Sequence, residues 1–229
     1  MAYKQARRGT DFTALWYKYQ KPLITVVAVI VIAVLGFIGY KQFIQGPKIE
    51  RANEALSNVQ AAFQAASLSP QMDTAAYKAV LEGRGTVKGA LSIIRTYGGT
   101  PAGNLARFYA GESYLHLGDF KNAVKYLKEF STSQKQVQMM AYGSLGDAYS
   151  ELKQNKEAIS NYKKAATTFE DDQVNASEYL FRAGMLSELD GQTKDAVAIY
   201  TQLKDNFPNT VKGMQAEKYL NRLELQPNN

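Results

Sequence analysis

The sequence predicts an all-α protein in which one N-terminal membrane-spanning helix precedes a stack of helical repeats. Three observations predict this fold class. Residues 23–40 form an uncharged apolar run, residues 49–66 carry apolar side chains at the spacing of one helix face, and a pattern of small residues recurs three times between residues 111 and 196. The run predicts an anchor, and the recurring pattern predicts that the rest of the chain is built from stacked helix pairs.

The composition excludes several kinds of functional site. The 229 residues include no cysteine and one histidine, which excludes disulfides, thiol nucleophiles, iron–sulfur clusters and cysteine-ligated zinc. The net charge is +6, but residues 1–22 alone contain five Lys or Arg and one Asp. The remainder carries too small a basic excess to neutralise many phosphates, so we expect no nucleic-acid partner.

Residues 23–40 are predicted to form a transmembrane helix. At about 1.5 Å per residue a helix of this length covers about 27 Å, close to the roughly 30 Å of a bilayer core. A buried core helix would need protein on every side, and a cleavable signal peptide would need a small-x-small site that residues 39–44 lack. Aromatic side chains that favour membrane interfaces flank the run: Trp16, Tyr17, Tyr19, Tyr40 and Phe43.

The distribution of Lys and Arg predicts the orientation of this helix. Five lie in the 22 residues before the run, and three, Lys41, Lys48 and Arg51, lie in the twenty after it. Basic segments stay in the cytoplasm, so we expect residues 1–22 to form a cytoplasmic basic tail. In a Gram-negative bacterium this topology corresponds to a single-pass inner-membrane protein with a periplasmic repeat domain.

A membrane-proximal helix is predicted after the anchor, within residues 47–99. Gly46-Pro47 is expected to interrupt the helical backbone. Apolar residues then follow at intervals of three and four: Ile49, Ala52, Leu56, Val59, Phe63 and Ala66. This stripe is compatible with packing on the protein's own domain and also with a dimeric coiled coil.

Three segments between residues 100 and 209 repeat one pattern. A glycine precedes an alanine by twelve residues in each: Gly111 and Ala123, Gly146 and Ala158, Gly184 and Ala196. Successive alanines are 35 and 38 residues apart, which brackets the 34-residue period of one helical repeat. The small residues are expected to let the two helices of each repeat approach closely.

Position by position, these segments resemble the tetratricopeptide repeat, which implies a right-handed α-solenoid. Gly118 and Gly191 are expected in the turn between the two helices, where Lys153 stands in the middle repeat. Leu127, Tyr162 and Tyr200 are expected to fill the hole beneath the next repeat. A capping helix is predicted within residues 210–225 from the stripe Ala216, Tyr219, Leu220 and Leu223.

A degenerate repeat is predicted before these three. The five-residue step from Gly85 to Ala90 equals that from Gly118 to Ala123. We therefore expect a first helix at about residues 73–81 and a turn near Gly85.

Residues 76–85 (AYKAVLEGRG) and 90–120, together with the membrane anchor, resemble the ancillary Sec-translocon subunit family of Gram-negative bacteria in its Bacteroidetes-type form. The resemblance implies a non-enzymatic scaffold whose periplasmic repeats bind translocon subunits, exported chains and periplasmic chaperones. The alternative is a repeat adaptor of another envelope machine, for cell division, outer-membrane assembly or secretion.

The sequence predicts no enzyme. The single imidazole, His116, lies near the end of a predicted first helix, and Asp171-Asp172 is expected in a solvated loop. The glycine-rich segments do not complete a phosphate-binding motif. We therefore predict no cofactor, no metal and no small-molecule substrate.

Binding is instead expected on the concave face, which the first helices of the repeats form in this family. The side chains predicted there combine aromatic residues with charged ones, a combination that suits a peptide with apolar and basic residues. They are Leu105, Phe108, Tyr109, Glu112, His116, Asp147, Glu151, Phe181, Arg182 and Glu188. The alternative is that Phe108 and Phe181 belong to the core and that the charges form a solvated face.

Overall fold

A computed structural model describes residues 12–69 and 73–225, with side chains described from residue 15 onward. The chain divides into two compact units, residues 1–50 and 51–229. The helices are α1 (Phe12–Tyr40), α2 (Gly46–Ser67), α3 (Thr74–Glu82), α4 (Ala90–Tyr97), α5 (Pro101–His116), α6 (Phe120–Lys128), α7 (Lys135–Glu151), α8 (Asn155–Thr168), α9 (Gln173–Leu189), α10 (Thr193–Asn206) and α11 (Val211–Glu224). Two short strands are β1 (Gly83–Arg84) and β2 (Val87–Lys88).

The first unit contains α1, which is long and apolar enough to cross a membrane. Its apolar side chains in residues 23–38 are exposed. A π-helical turn, Lys41–Gln45, follows α1, and the backbone stays helical at Gly46, whose N–H donates to the Lys41 carbonyl. The predicted interruption at Gly46-Pro47 is therefore wrong. The wider turn just before Pro47 is the physical reason, because it relieves the clash that a proline ring makes in a regular α-helix.

In the second unit, α2 packs on its own domain. Ala52, Leu56, Val59 and Ala66 are buried. Ala52, Leu56 and Val59 belong to a core cluster that also contains Val80 and Leu81 of α3, Ile93 of α4 and Ala106 of α5. The apolar stripe predicted from residue 49 to residue 66 is thus the buried face of α2 along most of its length.

The degenerate repeat differs from its prediction. A β-hairpin joins α3 and α4, in which Gly83 pairs with Lys88 and Arg84 with Val87. Gly83 and Gly85 have φ values of 88° and 57°, which favour glycine. Because the hairpin replaces the expected helical turn, Ala90 begins α4, whereas Ala123 and Ala196 lie one turn inside α6 and α10.

The three full repeats are the helix pairs α5–α6, α7–α8 and α9–α10. Ala123, Ala158 and Ala196 are completely buried, as the spacing predicts. The glycine of each first helix contacts the side chain that follows the alanine by four residues, in the order Gly111–Leu127, Gly146–Tyr162 and Gly184–Tyr200. These large side chains therefore pack against the first helix of their own repeat, and Tyr200 also stacks on Tyr219 of the following α11, with 5.2 Å between the ring centroids.

The turns inside the repeats share one backbone conformation. Gly118, Lys153 and Gly191 have φ values of 74°, 59° and 73°. In each turn two backbone N–H groups close a Schellman motif, for example Lys153 N to Ser150 O at 3.0 Å and Gln154 N to Tyr149 O at 2.9 Å. The turn hydrogen bonds hold Lys153 in a conformation that costs an ordinary residue about 1 kcal/mol.

A second recurring loop precedes α5 and α11. Thr100 and Thr210 each accept a hydrogen bond from the N–H three residues later, at Gly103 and Gly213, and each donates to the carbonyl three residues earlier. At both glycines a Cβ would lie within about 2 Å of that same carbonyl oxygen. The helix that starts after Thr210, α11, covers the last repeat through buried Ala216 and Leu223, as predicted for the cap.

Candidate functional site

The candidate site is the face formed by the first helices α5, α7 and α9 together with α11, hereafter the first-helix face. Each first helix contributes side chains at fixed offsets from its repeat glycine. These offsets place Tyr109, Ser144 and Arg182 at equivalent positions, and likewise Glu112, Asp147 and Met185. Contacts between neighbouring helices decide which of these side chains remain accessible.

The start of this face is covered by α2 and α3. The Phe63 ring centroid lies 5.3 Å from that of Tyr109 and 6.3 Å from that of His116. The Tyr77 ring stacks on His116 at 4.4 Å, and partial burial lowers the pKa of His116. Gln60 donates a hydrogen bond of 3.4 Å to the Tyr109 hydroxyl.

Leu105 is likewise partly buried between the two core clusters. Leu105 and Tyr109, two residues predicted to face a partner, are therefore packed against the protein itself, whereas His116 stacks on Tyr77 and remains exposed. Sequence periodicity gave no indication of this contact, because α2 is not part of a repeat.

Phe108 and Phe181 lie in the core, as the alternative interpretation predicted. Each is only 5% exposed. The Phe108 ring lies 5.3 Å from Phe130, and the Phe181 ring lies 5.0 Å from Tyr219. Burial between neighbouring repeats removes both from the set of aromatic anchors.

Asp147 lies at the centre of a polar cluster that joins four helices. Its Oδ1 accepts hydrogen bonds from the Tyr162 hydroxyl at 2.7 Å and from Arg182 Nη1 at 2.9 Å. Arg182 Nε also donates to Glu178 at 3.0 Å, and Lys212 Nζ lies 3.3 Å from the other oxygen of Glu178. Burial and then the Asp147 charge raise the pKa of Tyr162, which keeps the phenol protonated as a donor.

A second cluster joins α9, α10 and α11. Arg222 Nη2 donates to both carboxylate oxygens of Glu188, at 2.8 and 2.7 Å. The Tyr200 hydroxyl donates to Glu188 at 3.3 Å. The predicted site residues Asp147 and Arg182 thus pair with each other, and Glu188 pairs with Arg222. The two carboxylates therefore attract a basic partner less than unpaired carboxylates would.

Glu112 differs from these paired carboxylates. Its Oε1 is shielded from solvent and has no hydrogen-bond partner among the described residues. Desolvation raises the pKa of Glu112 to about 7, an effect that the Ser144 side chain opposes and the Asp147 charge increases. The carboxyl group therefore titrates near neutral pH on the inner side of α5.

We expect Glu112→Gln to stabilise the protein more at pH 8 than at pH 5. The folded-state pKa lies above the ordinary glutamate value of 4.5, so the stability of the wild type is highest below that ordinary value and falls as pH rises through about 7. Glutamine does not ionise and avoids this loss. The melting temperature at pH 8 should rise by about 2 °C or more, with a smaller change at pH 5.

Glu151→Gln is the matched control, because Glu151 is exposed. It should change the melting temperature by a similar small amount at both pH values. An equal gain at pH 5 and pH 8 for Glu112→Gln would contradict the titration.

The open part of the first-helix face lies on α7 and α9. It consists of Met140, Met185 and Leu189, which are 44%, 40% and 79% exposed, and of the exposed Glu151. Of these residues the sequence predicts only Glu151 as a binding residue. Met140, Met185 and Leu189 lie at the same distances from their repeat glycines as Leu105, Glu112 and His116 do from Gly111. A comparison of the three repeats at these positions could therefore have identified them.

Models of the tetratricopeptide repeat match residues 105–133, 141–172 and 178–210. No curated protein and no solved structure matches the chain. The matched segments are the three helix pairs described above, which are therefore tetratricopeptide repeats. Such repeats indicate a scaffold for protein interactions. Within the described ranges, no three His, Asp or Glu side chains come together as ligands for a metal ion.

Proposed function

We propose that this chain is a single-pass inner-membrane scaffold whose periplasmic repeats bind newly exported proteins beside the Sec translocon and pass them to periplasmic chaperones. The apolar α1 and the basic residues before it support the topology. The resemblance of residues 76–120 to ancillary translocon subunits supports the location. The open first-helix face on α7 and α9 supports the binding role.

The observation that carries the proposal is the exposed set Met140, Met185 and Leu189. Unbranched methionine side chains adapt to apolar groups of different shapes, so they suit a surface that meets many unfolded sequences. Glu151 adds one accessible carboxylate at the end of α7. A partner segment with apolar residues and an occasional basic residue fits this surface, and the paired Asp147, Arg182 and Glu188 border it.

We expect a reporter that is active only outside the cytoplasm to work when it is fused after Asn229 and to fail when it is fused before Met1. The physical reason is the excess of Lys and Arg before the apolar run. Reporter activity in cells expressing each fusion gives the answer. Activity at the N-terminal fusion alone would place the repeats in the cytoplasm and overturn the proposal.

We further expect a photoreactive residue at position 185 or 189 to capture translocon subunits, exported chains or periplasmic chaperones in living cells. Position 198 on α10 is the control, because Ala198 is exposed on a second helix. Mass spectrometry identifies the captured proteins. Capture of a division, outer-membrane assembly or secretion component at these positions would replace the Sec proposal, and capture equal to that at position 198 would exclude the first-helix face.

A further inference from the structure

A second surface, on the opposite helices of the repeats, has the chemistry of a peptide-binding site. A groove of about 570 Å³ lies between α6 and α8. Lys128, Lys156 and Lys164 line it, and Tyr142 and Tyr149 of α7 contribute aromatic rings. We call this surface the basic groove.

The groove coincides with an irregularity in the repeat array. The linker between α6 and α7 comprises residues 129–134, whereas residues 169–172 and 207–210 link the later repeats. The linker between α6 and α7 is therefore two residues longer than the others, and the groove between α6 and α8 lies beside it. Its volume falls within the range of roughly 300–1,000 Å³ that is typical of ligand pockets.

The floor of the basic groove is apolar and packed. Leu127, Phe130 and Leu145 are buried beneath it and belong to the main core cluster. Tyr142 is half-buried, and Lys164 Nζ lies 5.8 Å from the centre of its ring. The groove can therefore receive an apolar side chain between charged walls.

The walls carry a basic excess. Glu157 is the single acidic residue among the lining residues, and Lys163 adds a further positive charge beside Lys164. Within the described ranges no salt bridge involves Lys128, Lys156 or Lys164. Hydrogen bonds from Asn155 and Gln192 lower the pKa of Asp190, and the charge of Lys156 adds to this effect. Unpaired charges at the walls attract an anionic ligand during encounter.

We propose that the basic groove binds an acidic peptide segment of a partner protein, with its carboxylates on Lys128, Lys156 and Lys164 and an aromatic or aliphatic side chain on the floor beside Tyr142. Lys156 and Lys164 are eight residues apart on α8, about 12 Å along the helix. An extended peptide of about four residues covers that distance. A nucleic acid would need a larger basic excess than these lysines supply.

This site shares no residue with the open part of the first-helix face, although Tyr142, Leu145 and Tyr149 of α7 line it. The scaffold would then hold two different partners, one through apolar contacts on α7 and α9 and the other through its acidic segment. A result that contradicts one of these two binding sites therefore does not contradict the other.

The test uses the full-length chain in a non-ionic detergent and a fluorescein-labelled hexapeptide of alternating glutamate and phenylalanine. Fluorescence anisotropy should show saturable binding that weakens as salt is added. The double variant Lys128→Glu with Lys164→Glu should lower the affinity at least about tenfold, because two attractive contacts become repulsive. Tyr142→Ala should weaken binding of this peptide but not of a glutamate–alanine counterpart.

The control is the double variant Lys121→Glu with Lys194→Glu, which makes the same charge change at exposed positions outside the groove lining. It should retain most of the affinity, and far-UV circular dichroism should be unchanged for every variant. Three results would each overturn the proposal: no binding of the acidic peptide, an equal loss in the control, or equally tight competition by an unlabelled hexathymidylate. The last would identify a general polyanion surface.

Discussion

Replacing Ala158 by Glu is expected to unfold the repeats or to lower their stability by several kcal/mol. Ala158 on α8 is completely buried where the two helices of the middle repeat touch. A glutamate there either places an unpaired charge in the core or forces the helices apart, and both are costly. The free energy of unfolding of a domain is only about 5–15 kcal/mol, so this substitution would remove a large part of it.

Thermal unfolding of a fragment that begins at Arg51, followed by circular dichroism, measures the effect. The control is Ala198→Glu, since Ala198 lies on the equivalent helix α10 but is exposed. It should change stability by no more than about 0.5 kcal/mol. Equal melting temperatures for the two variants would show that the repeat register is wrong.

The second large effect is expected for Gly146→Ala. Alanine is normally the better helix former by about 1 kcal/mol. Here its Cβ would lie 2.5 Å from the Tyr162 ring. The ring cannot easily retreat, because it is buried and its hydroxyl donates to Asp147 at 2.7 Å. We therefore expect destabilisation of about 1–3 kcal/mol from overpacking, opposite in sign to the helix propensity.

Denaturant unfolding of the same fragment checks this result. Gly99→Ala serves as the control, because a Cβ at Gly99 meets no atom within 4 Å. In a double-mutant cycle, Tyr162→Val should remove much of the cost of Gly146→Ala, since the smaller side chain leaves room for the methyl group. A stabilised Gly146→Ala variant would show that this contact does not limit the approach of α7 and α8.

The repeats could be predicted because their small residues meet a local requirement. A glycine and an alanine twelve residues apart allow the two helices of one repeat to approach closely. The spacing of Gly146 and Ala158 therefore indicates this contact in the sequence. The turns were predictable for the same reason, even at Lys153, because two neighbouring repeats carry glycine there. The hairpin that begins at Gly83 could not be predicted, because the five-residue spacing from Gly85 to Ala90 equals the spacing from the turn glycine to the alanine of a repeat.

The binding face was harder to predict because neighbouring repeats decide which side chains are covered. Phe108, Gly143 and Phe181 share one offset from the repeat glycine. A Cβ at Gly143 would meet the Tyr179 ring of the next first helix, so this offset is a packing position between repeats. Periodicity within one helix cannot separate it from the accessible offset of Met185, only a few residues further along.

The paired threonine loops have a consequence for the length of the array. Thr100 and Thr210 begin α5 and α11 with the same hydrogen bonds and the same glycine three residues later. The chain therefore enters its first full repeat and its terminal helix through equivalent junctions. A tandem duplication of residues 101–210 would create no new kind of joint, and we expect it to fold as a solenoid twice as long. Such interchangeable ends would allow a gene to lengthen the scaffold by whole modules while its membrane anchor stays unchanged.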